Sequence, residues 1–134
     1  MPATTPNKFA FTENAKRIRE IHARINAGHA IRVEDGGVAW KAALKEFAEK
    51  VDALSFPGGM GGVLDRIVNG DAVTIEHALE FVEAHPYFFR SQYIRAKLVR
   101  RLKHAPLSER QSARLQRALD LERSRKLAKR ASNA

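Results

Sequence analysis

Apolar side chains recur along this chain with a helical period, and the recurrence breaks at glycine and proline. Phe11, Ala15, Ile18, Ile21, His22 and Ile25 share one face at about 100° per residue, which predicts a first helix. Thr12 is placed to cap it, Glu13 sits in its first turn, and Gly28 is a natural stop. Trp40, Leu44, Phe47, Val51 and Leu54 then follow at i, i+4, i+7, i+11 and i+14, predicting a second helix with a continuous core stripe. Between the two, "HAIRVEDGG" alternates Ile31 and Val33 around Arg32, a pattern suited to a short extended connector with no second strand to pair with.

The run "FPGGMGG" ends the second helix, because Pro57 and four glycines cannot sustain one. A short helical turn, "VLDRIV", follows and stops at Asn69-Gly70. Thr74 is the expected cap of the next helix, whose inward face is Ile75, Ala78, Leu79 and Val82 and whose other side carries Glu76, Glu80 and Glu83. Pro86 forces a break. Ser91 can open a fifth helix with Ile94, Leu98 and Leu102 inward, and Pro106 lies beyond its end. Ser108 and Gln111 fit a capping box for a last helix packed through Leu115, Ala118 and Leu119. These elements predict an all-α, single-domain bundle of five to six helices, in which consecutive pairs admit HEAT-like packing. Residues 1–11 are expected as a loose arm, 12–121 as the helical domain and 122–134 as a basic tail, a frayed continuation of the last helix.

Charge changes this picture. The net charge is +9 over 134 residues, and its distribution is lopsided. Residues 1–84 hold ten Lys/Arg against twelve Asp/Glu, whereas residues 85–134 hold fourteen against three. A one-signed region of this kind raises the local potential for anionic partners. Cysteine is absent, which removes disulfides, thiolate nucleophiles and cysteine-bound zinc. The first residues lack the apolar core of a secretory signal and no apolar run reaches the ~18 residues of a membrane span, so a cytoplasmic, membrane-free protein is expected.

The region where aromatics and cations interleave is "HPYFFRSQYIRAKLVRRLKHAP", His85 to Pro106. Tyr87, Phe88 and Phe89 sit at a chain reversal, where at least two of the three are expected in the core. Tyr93 is different. With Leu98 facing inward, Tyr93, Lys97, Arg100 and His104 recur at i, i+4, i+7 and i+11 on the far side. Arg110, Arg114 and Arg117 repeat the arrangement on the last helix. A solvated helix ordinarily mixes signs, yet neither strip contains a carboxylate. The acidic Glu76/Glu80/Glu83 strip is expected to face Arg95 or Arg101, which would neutralise part of the excess and leave the basic strips open.

Catalytic and metal readings find less support. His77 and Glu80 lack the further ligands that a helical metal site needs, and the glycine-rich run lacks a P-loop's Lys-Ser/Thr. No nucleophile is paired with a base at a recognisable spacing. The expectation is therefore a non-catalytic module without cofactor or metal. Tyr93, Lys97, Arg100, His104, Arg110, Arg114 and Arg117 would bind a polyanion, RNA or single-stranded DNA first, with low sequence specificity. The alternative is an adaptor or inhibitor that docks an acidic protein. Oligomeric state is not legible at this level.

Overall fold

The computed structural model describes residues 9–133. Among them every regular element is helical: α1 (Phe11–Ala30), α2 (Arg32–Asp35), α3 (Val38–Ser55), α4 (Val63–Val68), α5 (Ala72–Ala84), α6 (Ser91–Lys103) and α7 (Glu109–Ser132). The seventh helix beyond the expected five to six is α2. Its residues form a helical turn rather than an extended connector, because Glu34 and Asp35 both donate their N–H to the Ile31 carbonyl. Across the turn at Gly36 and Gly37, both at positive φ, the Asp35 carboxylate accepts from Gly37 N at 2.8 Å and Ala39 N at 3.0 Å. Those two bonds open α3 and hold the Asp35 carboxyl below its ordinary value, Ala39 first and Gly37 second.

The described chain packs as two compact units. One runs through Gly61 and takes in Pro86–Ser91; the other comprises Gly62–His85 and the chain from Gln92 onward. In the first unit, α1 and α3 form an antiparallel hairpin, since their contacts run in reverse order. Gly28 meets Trp40, Arg24 pairs with Glu46, His22 lies near Phe47, and Phe11 near Phe56. The inward face of α1 is the predicted one: Phe11, Ala15, Ile18, Ile21 and Gly28 are buried. Gly28 is not a stop. It lies inside α1, where a Cβ would come within 2.6 Å of Trp40 N, so glycine is what lets the helices approach. Nor is Thr12 the cap, because α1 already begins at Phe11 and Ala10 offers no side-chain acceptor.

The α3 stripe behaves differently from its pattern. Trp40, Phe47, Val51 and Leu54 are half-buried and Leu44 is 43% exposed, while the buried positions of α3 are Ala43 and Ser55. The stripe shares a face as its period requires, but that face is not sealed. The aromatic turn also departs from expectation. Phe88 is buried, whereas Tyr87 is 69% and Phe89 48% exposed, so one ring of the three is core. Positive φ at His85 and Arg90 brackets the turn. Phe89 instead stacks on His22, ring centroids 4.7 Å apart and planes 12° apart, and the Arg90 guanidinium lies 5.3 Å from the Phe89 ring. The Phe88 N–H donates to the buried Ser91 Oγ at 3.1 Å.

In the second unit, Val63 and Ile67 of α4 and Ile75, Ala78, Leu79, Phe81 and Val82 of α5 are buried. Leu98, Val99 and Leu102 of α6 and Leu115 of α7 are buried as well. Burying each of the Val, Leu, Ile and Phe side chains among them contributes about 1.5–3 kcal/mol. The cap of α5 is Asp71 rather than Thr74: Thr74 is the third residue of the helix, and both its N–H (3.0 Å) and its hydroxyl donate to the Asp71 carboxylate. Arg66 Nε donates in turn to Thr74 Oγ1 at 3.2 Å. The α7 capping box is present as predicted, with Gln111 N to Ser108 Oγ at 3.1 Å and Ser108 N to Gln111 Oε1 at 3.0 Å. From there α7 runs unbroken for 24 residues, about 36 Å, with no end at residue 121. The expected N-terminal arm falls outside the described residues through residue 8, and its last residue, Phe11, is buried.

Candidate functional site

The basic residues of α6 and α7 divide into those held by carboxylates and those that are not. Arg114 is held. Its Nε and Nη2 donate to the two oxygens of Glu83 at 3.1 and 2.6 Å, and its Nη1 donates to Glu76. The acidic strip of α5 thus faces Arg114, not Arg95 or Arg101. These bonds hold the Glu76 carboxyl below its ordinary value, Arg114 being the main cause with Gln111 adding to it. Glu83 foremost, then Glu76, raise the Arg114 guanidinium further above its already high value, against the downward push of burial. Arg114 therefore ties α7 to α5 and is not part of an open basic strip.

Arg95 is held on one side. It is 7% exposed, and its Nη1 donates to Glu122 of α7. Burial pushes the Glu122 carboxyl up, but Arg95 and Lys126 together leave it below its ordinary value. The sequence does signal a special role for Arg95: it lies three residues before Leu98, four before Val99 and seven before Leu102, a cation on the apolar face of α6.

The remaining predicted residues are placed as follows. Tyr93 is 58% exposed, but the Lys97 ammonium lies 4.4 Å from its ring centroid and covers one face. The ring is therefore less available for stacking than its place on the strip suggested, and Lys97 itself is half-buried. Arg100 is exposed and lines a groove of about 520 Å³ between α6 and α7. His104, just past α6, is exposed, as are Arg110 and Arg117 on α7. Arg110 is near enough to contribute to the lowering of Glu76, while Arg117 lines a second, smaller pocket.

The groove joins residues that the two strips did not. Ala96, Val99 and Leu119 supply an apolar floor, and Arg100, Lys103 and Lys126 supply cations beside it. Lys126 shares Glu122 at 3.5 Å, one turn along α7. Beyond Glu122, α7 presents Arg123, Arg125, Lys129 and Arg130 as exposed side chains without a carboxylate partner among the described residues. Lys126 and these tail cations were missed as site residues because the last turns of α7 read as a fraying end; Lys103, the last residue of α6, falls outside the Tyr93/Lys97/Arg100/His104 spacing. Among the described residues no three His, Asp or Glu side chains gather at metal-ligating range, and no helix is long and apolar enough to cross a membrane. No protein-family model, curated protein or solved structure matches this chain.

Proposed function

We propose that the chain is a non-catalytic binding module whose α6–α7 face takes a polyanion, RNA or single-stranded DNA first, with little sequence preference. The observation that carries this is the α6–α7 groove, where Arg100, Lys103 and Lys126 lie beside Ala96, Val99 and Leu119, with the exposed cations of the α7 tail following Glu122 in sequence. Guanidinium and ammonium groups hold phosphates regardless of base identity, and the floor of Ala96, Val99 and Leu119 offers bases a surface to leave water. Arg117 extends the face. Tyr93 contributes at most one side of its ring.

Fluorescence polarisation of a labelled single-stranded RNA tests this. An Arg100→Glu/Lys103→Glu variant with unchanged melting should bind at least about tenfold more weakly, since every phosphate left without a cation forgoes its share of counterion release. Equal binding by the folded variant overturns the proposal.

A second reading, docking of an acidic protein, draws on the same groove, whose apolar floor would suit side-chain anchors. The two part on ionic strength. Nucleic acid binding declines steeply and linearly in log–log against salt, whereas an interface built on apolar anchors declines little.

A further inference from the structure

A pocket of about 190 Å³ lies where the C-terminal end of α5 meets α6 and α7, and four guanidiniums line it: Arg95, Arg114, Arg117 and Arg125. The carboxylate lining it is Glu83, and both Glu83 oxygens already accept from Arg114. Glu122, the partner of Arg95, gives its other oxygen to Lys126. The nearby acids are therefore committed, and the guanidiniums are not all satisfied. Arg95 Nε and Nη2 are buried and have no hydrogen-bond acceptor. These two N–H groups lie on one edge of the guanidinium and form the parallel fork that grips two oxygens of an oxyanion. Arg117 and Arg125 are exposed and have no carboxylate partner among the described residues.

We infer that this pocket binds a single phosphate group, gripped by the unpaired edge of Arg95 and closed over by Arg117 and Arg125. A phosphate suits the set better than a carboxylate, because its extra oxygens and second negative charge answer two further guanidiniums beyond the fork. The Arg95 edge is shielded from solvent, so entry requires side chains that line the pocket to move aside. The inference deepens the polyanion reading by assigning a discrete site for a phosphate monoester, whether the free ion or the 5′-terminal phosphate of a strand. An extended backbone face does not need such a site.

Isothermal titration with inorganic phosphate, alongside matched RNA oligonucleotides with and without a 5′-phosphate, tests it. Saturable one-to-one phosphate binding is expected. Arg95→Lys, which keeps the charge but removes the fork, should weaken it by about tenfold or more. Arg117→Ser/Arg125→Ser, at exposed positions that leave the core untouched, should weaken it likewise and guards against misfolding of the first variant. Tighter binding of the 5′-phosphorylated strand identifies a strand end as the ligand; equal binding of the two strands with phosphate still taken up identifies the free ion. Absence of saturable phosphate binding, or unchanged phosphate binding in the folded variants, overturns the inference. Salt-dependent binding of the unphosphorylated strand under those results leaves the α6–α7 face standing without the pocket, and phosphate uptake without strand binding does the reverse.

Discussion

Arg114 sits one turn from Arg117 on α7, yet its guanidinium is spent on Glu76 and Glu83 while Arg117 reaches solvent. The two should respond oppositely to mutation. Arg114→Ala leaves two carboxylates of α5 without their partner and is expected to lower stability by about 1–3 kcal/mol in urea unfolding while changing RNA affinity little. Arg117→Ala is expected to leave unfolding unchanged and to weaken RNA binding. The reverse pattern would show that Arg114 belongs to the binding face. The spacing Arg110, Arg114, Arg117 was legible; the bonds of Arg114 were not, because its acids lie 31 and 38 positions away on another element. Gly28 makes a similar point. In the sequence it reads as a helix stop, and in the fold it is a contact: Gly28→Ala should cost about 1–3 kcal/mol, as overpacking does, through a Cβ that meets the Trp40 backbone. A Gly28→Ala melt equal to wild type would contradict close packing of α1 on α3.

Among the helices, period revealed which residues share a face but not whether a neighbour covers it. The α1 face was legible and is buried; the α3 stripe was equally regular and stays half-buried. The turn of Tyr87, Phe88 and Phe89 was legible as a break, whereas which of its rings a neighbour covers, as His22 covers Phe89, depends on another helix, which local composition does not encode. In α7 the capping box marked the start, but no signal marked the end, since nothing apolar marks the helix after Leu121 except Leu127, itself exposed. The segment beyond Glu122 holds its helix with little packing, so its value lies in its cations. Removing residues 123–134 should leave the melting transition of the remainder in place. The same truncation should flatten the log–log salt dependence of single-stranded RNA binding by about 0.7 for each phosphate the tail had neutralised. An unchanged slope would show that the tail does not touch the strand.

Across the full chain, the charge division of the sequence is carried into the fold: the second unit holds α6, α7 and the acids that restrain two of their arginines. Those acids also set a pH response. Glu76 and Glu122 both lie below the ordinary value of 4.5, Glu76 through Arg114 and Glu122 because Arg95 and Lys126 outweigh its burial. A carboxylate depressed in the folded state contributes its stability in full above its unfolded value and loses it as pH falls through the folded one. The melting temperature should therefore drop as the pH is taken below 4.5, and Glu122→Gln should be less stable at neutral pH and show a shallower drop. An identical pH profile in that variant would contradict the Arg95–Glu122 pair. The basic face itself stands or falls on the affinity of the full chain for a labelled single-stranded RNA across a salt series. A straight log–log decline, with a slope that Arg100→Glu/Lys103→Glu reduces, is the predicted result. No binding at low salt, or binding indifferent to salt, would contradict it.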